Sequence, residues 1–395
     1  MRTAELGMNI ACDAYGLHSF AESARQMAFA CNAVGLPFVV NDIQWHPRLY
    51  SIYRKFFRNQ FDLTLDRYAS TLNVYPINLI RLMPDATKRL LTSNPQYFDR
   101  KINVAMWSPD FPRIPSEWIS TSRAFDEIWV ISEFMRKNMA DKLPVPVKRI
   151  RYPLFIDEGS IEAKKFREDI PDDVCVFLFA FEYSGGFERK NPVALIEAFK
   201  RSFSKSDKAL LIIKTVPFFS SSVNPMHTIR VTRLAREKAR ILKTAVREAD
   251  KANIRIIDER FTRLEFMSLL ASSDCYASMH RAEGFGQVLA QSMYLGKPVI
   301  ATGYSGNLDY MNKDNSLLLR FELVKVSDSQ MSGEGNVWAE PDVDHASQLM
   351  RWVYEHRKEA RELGVRASKS LQDFTNPQTA GNEIREECAR LCVNQ

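Results

Sequence analysis

Residues 275–302, CYASMHRAEGFGQVLAQSMYLGKPVIAT, contain the pattern that decides the fold. An apolar run at 275–278 leads into a turn with two glycines, and the amphipathic segment that follows ends at Gly296. A second apolar run, 298–301, comes next. A strand, a turn, a helix, a glycine stop and a second strand make a βαβ unit, in which the two strands are parallel. The stretch therefore predicts an α/β protein with a parallel sheet.

The same alternation of patterns runs along the rest of the chain. In the first half it predicts helices at 20–34 and, capped by Ser132, at 134–143, with strands at 8–11, 37–40, 77–82, 102–106, 127–131 and 149–154. In the second half it predicts helices at 192–203 and 285–295, with strands at 174–181, 209–214, 254–257, 275–278 and 298–301. Two successive α/β halves predict two Rossmann-like, doubly wound domains facing a central cleft.

The length of the chain also indicates two domains. A chain of 395 residues exceeds what one hydrophobic core usually organises. A charge-rich stretch at 157–173 is the predicted linker. The expected domains are residues 1–165 and residues 172–375, followed by a last segment, 376–395.

Composition narrows the classes of partner. The chain has 54 basic and 48 acidic residues, a net charge of +6, which permits an anionic ligand or membrane surface but falls short of a nucleic-acid-binding signature. Its six cysteines are scattered without a C-x-x-C pair, as in a reduced cytoplasmic protein. No signal-peptide pattern and no apolar run of about 20 residues is present. We therefore expect a cytoplasmic protein, soluble or peripheral on the inner face of the cell membrane.

The glycine turn within 278–291 is the most informative chemical feature. Gly284 and Gly286 let the backbone approach a ligand where a helix begins, and helix N–H groups favour an anion such as a diphosphate. Glu283 would repel phosphate and is better suited to bonding sugar hydroxyls. An ordinary strand–helix corner with glycines for packing fits the spacing equally well.

These residues together resemble the family 4 retaining glycosyltransferases, which have the GT-B fold. The family's E-x7-E element and its Gly-x-Pro-Val-Ile-Ala-Thr segment are matched by Glu283 and by GKPVIAT at 296–302. The resemblance extends to FERKNP at 187–192 and WAEPD at 338–342, and to Trp107 and its neighbours in the first half. The sequence especially resembles bacterial members that add mannose or rhamnose to surface polysaccharides.

The resemblance implies an activity and its substrates. The expected reaction is a metal-independent, retaining transfer of a hexose from a nucleoside-diphosphate sugar to a glycan or lipid-linked glycan in polysaccharide biosynthesis. It needs no separate cofactor, and GDP-mannose is the first expected donor. The first domain would bind the acceptor and the second the donor, and the segment 376–395 would pack back on the first domain.

Roles for individual residues follow from the same resemblance. Departure of a nucleoside diphosphate concentrates negative charge on its oxygens, so cations are expected beside it. Lys190 and Arg189 are expected to stabilise that charge, although a solvated basic turn is the alternative for both. Glu283 would bind hydroxyls of the sugar. The other residues expected to contact the donor are Gly16, Lys214, His280, Gly284, Phe285, Gly286 and Gln291, and for His280 a purely structural role is the alternative.

Gln291, Glu182 and His18 depart from the family pattern, and Glu182, where many relatives have an arginine, is interpreted as a subgroup trait. Gln291 replaces the second acid, and losing its charge-assisted bond to the ribose would cost about 1–2 kcal/mol of donor affinity. His18 replaces a glycine in the loop after the first strand. It would bond the transferred sugar or activate the acceptor hydroxyl, or have no special role. Asp110 and Trp107 are expected to bind the acceptor, with a helix-capping role the alternative for Asp110.

Two basic stretches of the sequence each allow more than one interpretation. Residues 49–58 mix aromatics with cations, which suits a lipid headgroup interface, although a core-facing helix with a charged outer side is the favoured interpretation. The segment 230–251 is interpreted as a solvated helix face.

The main rival function is a non-catalytic nucleotide-sugar-binding partner or scaffold of glycan assembly. An epimerase of the same fold lacks a convincing set of carboxylates, and nucleic-acid binding lacks a recognition motif.

Overall fold

A computed structural model describes residues 5–43, 62–183, 186–216, 225–326 and 336–393. The chain divides into two compact units: unit 1 comprises Met1–Phe155 and Asp373–Gln395, and unit 2 comprises Ile156–Gln372. The aromatic and basic stretch 49–58 lies outside the described residues.

Unit 1 contains a parallel sheet of six strands in the order β2-β1-β3-β4-β5-β6. The strands are β1 (Met8–Cys12), β2 (Phe38–Asp42), β3 (Ile77–Arg81), β4 (Ile102–Met106), β5 (Glu127–Val130) and β6 (Val147–Arg149). The helices are α1 (Ser19–Ala33), α2 (Pro84–Ser93), α3 (Ser116–Ser122), α4 (Glu133–Met139) and, after unit 2, α12 (Pro377–Val393). The strands β1, β3, β4 and β5 are buried throughout, as expected for a parallel sheet covered on both faces.

Unit 2 contains a second parallel sheet of six strands in the order β12-β11-β10-β7-β8-β9. The strands are β7 (Cys175–Glu182), β8 (Ala209–Val216), β9 (Ile254–Asp258), β10 (Cys275–Ser278), β11 (Val299–Thr302) and β12 (Leu317–Leu319). The antiparallel strands β13 (Phe321–Lys325) and β14 (Val337–Pro341) pair with each other. The helices are α5 (Phe187–Lys190), α6 (Pro192–Ser202), α7 (Pro225–Glu248), α8 (Arg263–Ser272), α9 (Gln287–Tyr294), α10 (Val343–Glu355) and α11 (Arg357–Phe374).

The strand order of unit 2 fixes where a ligand is expected. From β7 the chain adds β8 and β9 on one side, and it then returns to add β10, β11 and β12 on the other. The direction of winding therefore reverses between β7 and β10. In open α/β sheets, ligands bind beyond the carboxyl ends of the strands at such a switch point.

The two predicted doubly wound sheets are confirmed, and most strand ends differ from the predicted ones by at most two residues. The predicted strand at 149–154 is wrong, because β6 ends at Arg149. Ile150, Tyr152 and Leu154 are nonetheless buried, and the Leu154 amide donates to the carbonyl of Thr375 at 3.0 Å. A buried apolar segment that pairs with no strand can have the same sequence pattern as a buried strand, which explains the error.

The last helix, α12, belongs to unit 1 and packs on α1. Its Arg390 forms an ion pair of 2.5 Å with the buried Glu127 of β5, and Glu387 pairs with Lys148 of β6. Among the described helices, none is both long enough and apolar enough to cross a membrane.

Candidate functional site

Two loops meet beyond the switch point of unit 2. After β7 the chain forms the single turn α5, which ends in Asn191 with φ +55°. After β10 it continues through the loop 279–286 into α9. Both loops follow the carboxyl ends of adjacent strands, so the sheet brings together segments about 90 residues apart in sequence.

A charge cluster joins these loops. One carboxylate oxygen of Glu283 pairs with the ammonium of Lys190, and the other lies 3.3 Å from the guanidinium of Arg189. The side chain of Glu283 is only 10% exposed. Burial by itself raises the pKa of this carboxyl, but the two cations outweigh burial and lower the pKa to about 2. The buried Glu283 is therefore an anion held between two cations.

Main-chain bonds hold the cluster in register. The Arg189 guanidinium donates to the carbonyl of Ala282 at 2.8 Å, and the Arg281 amide donates to the carbonyl of Arg189 at 2.7 Å. The α5 turn is thus bonded to the 279–286 loop in both directions. This arrangement fixes the positions of the two cations relative to Glu283.

A turn after β11 supports the same loop from the other side. The Glu283 amide donates to the Ser305 hydroxyl at 2.8 Å, and the Gly306 amide donates to the carbonyl of Glu283 at 2.9 Å. Ser305 has φ +78°, a conformation that costs a non-glycine residue energy and persists only where the surroundings impose it. The strained turn therefore belongs to the framework of the site.

The helix α9 starts directly at this loop. Its N-cap is Gly286, which has φ +82° and makes no side-chain cap bond, and the N-terminal end of α9 directly follows the loop that carries Glu283. The Tyr310 hydroxyl lies 2.9 Å and 2.8 Å from the carbonyls of Phe285 and Gly286. The predicted helix at 285–295 therefore starts two residues later than expected, because the glycine turn occupies 284–286. A helix N-terminus next to two cations is suited to an anionic group.

Two other predicted site residues, His280 and Gln291, are buried in unit 2. His280 is fully buried between Ser278, 3.2 Å from Nδ1, and Asn307, 3.3 Å from Nε2. Burial lowers the pKa of its imidazole to about 4, and the neighbouring Glu283 carboxylate only partly opposes this effect. His280 is therefore neutral at physiological pH. The other residue, Gln291 in the second turn of α9, is 4% exposed.

The neutral His280 predicts a pH dependence of stability. Its pKa is about 4 in the folded protein and about 6.5 in an unfolded chain, so the unfolded state takes up the proton first as pH falls. Stability should then fall by about 2 kcal/mol between pH 6.5 and pH 5. The lowered pKa of Glu283 acts in the same direction, but only below its ordinary value of 4.5. Urea unfolding of wild type and His280→Asn checks this: the variant should lose less stability over that interval, and equal losses would contradict the assignment.

Lys214 lies in a different cluster from the one around Glu283. It is 2% exposed within β8, and its ammonium donates to the carbonyls of Thr215 at 2.7 Å and Glu259 at 2.6 Å. The ring of Phe261 lies 4.3 Å from the ammonium. Burial lowers the pKa of Lys214 to about 8. The side chain therefore bridges the carboxyl ends of β8 and β9.

In unit 1, the predicted residue His18 caps α1. Its Nδ1 accepts from the Ala21 amide at 3.3 Å, so Nε2 carries the hydrogen that is donated to Asp13 at 2.8 Å. A Cβ on Gly16 would lie 2.7 Å from that Nε2 and 2.8 Å from Asp13 Oδ2, so a larger residue there would displace this pair. Because both ring nitrogens are engaged, proton transfer by His18 would require one of these bonds to be exchanged.

The other two predicted residues of unit 1 differ in exposure. Trp107 is completely buried, with the rings of Trp118 and Phe125 at centroid distances of 5.8 Å and 6.0 Å. Its side chain therefore supports the loop after β4 from the core. Asp110, in that loop, is partly exposed.

Arg281 is a site residue that the sequence analysis did not single out. Its guanidinium bonds both carboxylate oxygens of Glu340 in β14, at 2.6 Å and 3.0 Å, and donates to the carbonyl of Glu188 at 2.6 Å. It also lies 4.9 Å from the ring centroid of Trp338. The WAEPD motif at 338–342 could have indicated the ion pair between Arg281 and Glu340. Through Arg281, Glu340 connects β14 to the α5 turn and to the 279–286 loop.

Within the described part of the chain, no group of three or more His, Cys, Asp or Glu side chains is arranged to hold a metal ion.

Comparison with known proteins identifies a family pattern in the second half of the chain. Residues 160–370 match the family described as glycosyl transferases group 1. No curated protein matches the sequence.

Solved structures match over nearly the whole chain. HepE from Anabaena, in complex with UDP and glucose, is 12% identical with a TM-score of 0.68, covering 98% of this chain and 100% of that one. Sucrose-phosphate synthase from Thermosynechococcus elongatus is 13% identical with a TM-score of 0.67, at the same coverage of 98% and 100%. TarM from S. aureus, in complex with fondaparinux, alpha-GlcNAc-glycerol and UDP, is 12% identical with a TM-score of 0.51, covering 78% of this chain and 54% of that one. At these identities the similarity shows the fold.

Proposed function

The chain belongs to the glycosyl transferases of group 1 and has the GT-B fold, and we propose that it is a retaining hexosyltransferase using a nucleoside-diphosphate sugar. The observation that carries the proposal is the cluster of Lys190, Arg189 and Glu283 at the switch point of the second sheet. It combines cations for a diphosphate with a carboxylate for sugar hydroxyls, next to the N-terminus of helix α9.

The charges of this cluster suit departure of a nucleoside diphosphate. As the bond between the anomeric carbon and the diphosphate oxygen breaks, its electron pair remains on that oxygen. Lys190 carries three donor hydrogens, of which the bond to Glu283 uses one, and its side chain is 20% exposed. Its ammonium and the N–H groups of α9 would stabilise the new negative charge in a site that needs little reorganisation.

Glu283 would hold the sugar during this step. Each of its oxygens already faces a cation, yet a carboxylate has about four acceptor positions, so sugar hydroxyls can still bond to it. The acceptor hydroxyl attacks the anomeric carbon from the side that the diphosphate leaves, and its proton passes to the departing phosphate oxygen. The configuration is then retained, and neither a protein base nor a metal ion is required.

GDP-mannose is the first donor to test, on the resemblance to family 4 mannosyl- and rhamnosyltransferases. UDP-glucose belongs beside it, because HepE, a structural neighbour, was solved with UDP and glucose. Gln291 replaces the family's second acid, so we expect weaker ribose binding than a carboxylate would give. The proposed acceptor is a glycan or a lipid-linked glycan of a bacterial polysaccharide, with Asp110 of unit 1 among its contacts and the reaction taking place in the cytoplasm.

A thermal-shift panel of GDP-, UDP- and dTDP-sugars tests the donor site. A donor that binds the folded state raises the melting temperature by mass action, and at 100 times its Kd it adds about 2.7 kcal/mol of stability. We expect one nucleotide class to give a selective shift that EDTA does not remove. The absence of a shift with every nucleotide sugar at millimolar concentration would contradict the proposal.

The alternative is a non-catalytic scaffold that binds a nucleotide sugar. Gln291 supports this alternative, because an amide at that position is expected to bind the ribose more weakly than a carboxylate. A measurement of turnover separates the two functions. Slow hydrolysis of the selected donor, followed by NMR of the released sugar, should show the anomeric configuration of the donor in the first product. A donor that shifts the melting temperature but is neither hydrolysed nor transferred would favour the scaffold.

A further inference from the structure

The outer face of α7 carries a row of cations: Arg233, Arg236, Arg240, Lys243 and Arg247. The spacing alternates between three and four residues, so at 3.6 residues per turn all five lie within about 80° of the helix surface. The row extends over about 21 Å at 1.5 Å per residue. All five side chains are exposed.

These cations lack acidic partners within the described part of the chain. Some arginines of unit 2 are paired, such as Arg201 with Asp344 at 2.6 Å and Arg351 with Asp207 at 2.9 Å, whereas the exposed Arg361 and Arg366 of α11 donate to backbone carbonyls. Like charges three and four residues apart on a helix repel one another. Glu237, exposed four residues after Arg233 and three before Arg240, offsets part of this repulsion, so the face is cationic in net charge.

The opposite face of α7 is anchored in unit 2, which keeps the row on the outside. Leu242 is fully buried and Ala235 nearly so. Lys238 points inward and pairs with Glu188 of the α5 turn at 3.2 Å. The helix therefore cannot rotate its cations away from solvent without breaking its own packing.

We propose that the α7 row binds an anionic lipid surface. A straight row of long cationic side chains matches a plane of phosphate headgroups, and each cation close to such a surface strengthens binding by about fivefold. The exposed face from 233 to 247 has no aromatic side chain for stacking bases, which argues against a single-stranded nucleic acid. The inference is independent of the donor chemistry.

Vesicle co-sedimentation of the full chain tests the proposal. Wild type should bind phosphatidylcholine vesicles that contain phosphatidylglycerol, and this binding should weaken as the salt concentration is raised. It should not bind vesicles of pure phosphatidylcholine. The double variant Arg236→Glu/Arg240→Glu should bind at least about 25-fold more weakly. The control Lys358→Glu/Arg361→Glu makes the same charge change on the exposed side of α11 and should bind almost as wild type does.

Three results would overturn the lipid assignment. The first is equal vesicle binding by wild type and the α7 variant, and the second is equal loss in the α7 and α11 variants, which would reflect net charge alone. The third is tighter binding of the row to heparin or poly(dT) than to vesicles at the same salt. The donor-induced thermal shift, which should be unchanged in both variants, shows that they are folded and keeps this test separate from that of the proposed function.

Discussion

Replacing Lys190 with alanine should lower kcat for sugar transfer by about 100- to 1000-fold, the usual cost of removing one preorganised group that stabilises developing charge. The loss should be larger in kcat than in KM, because the charge on the diphosphate oxygen grows mainly in the transition state. The change also leaves the buried Glu283 with one close cation instead of two. Its pKa should therefore rise towards the value that burial favours. Initial rates with saturating donor measure kcat directly.

The matched control is Lys200→Ala, which removes a lysine from α6 of the same unit. Lys200 is exposed and pairs with Glu197 at 3.0 Å on its own helix, so activity should stay close to that of wild type. Because Lys190 and Glu283 form one cluster, the double variant Lys190→Ala/Glu283→Gln should lose much less than the product of the two single effects. A Lys190→Ala enzyme with wild-type kcat would show that the diphosphate binds elsewhere.

Replacing Gly306 with alanine should have the largest effect on folding, lowering the free energy of unfolding by about 3 kcal/mol. A Cβ at this position would lie 1.7 Å from the carbonyl oxygen of Gly284 and 2.4 Å from its carbonyl carbon. Both contacts are with backbone, so no side-chain rotation relieves them. The 283–286 loop would have to move, which should also abolish the donor-induced thermal shift. Urea unfolding and the same shift assay measure the two effects.

Gly159→Ala is the control for this prediction. Its Cβ would meet only Asp157 Oδ1, at the ordinary contact distance of 3.5 Å. Stability should therefore change by no more than about 0.5 kcal/mol. If Gly306→Ala unfolds at the same urea concentration as Gly159→Ala and still binds donor, the close packing of the two turns is not required.

Local sequence pattern was sufficient for the elements that position the site. Buried strands such as 275–278 and 102–106 are short, mostly apolar runs, and their bounds were predicted correctly. The N-cap role of Ser132 was also predicted from its position before an amphipathic segment. These features depend on residues a few positions apart, and a sequence states those separations directly.

The arrangement of the candidate site could not be predicted from local sequence pattern. That Lys190 and Arg189 both face Glu283, 93 positions away for Lys190, depends on β7 and β10 being neighbours in the sheet. Lys214, expected in the same group, lies in another cluster because its strand, β8, is on the far side of β7 from β10. No periodic signal specifies which strands become neighbours, because strand order follows from the packing of the whole sheet.

The sequence by itself determined the two α/β halves, the glycine turn before a helix, and the family to which the motifs point. The tertiary structure alone decided that Arg281 bonds Glu340, that His18 is engaged at both ring nitrogens, and that Ser305 is strained. The physical reason is range. Hydrophobic periodicity and turn chemistry act over a few residues, whereas a buried ion pair or a close backbone contact exists only after distant segments have been packed together.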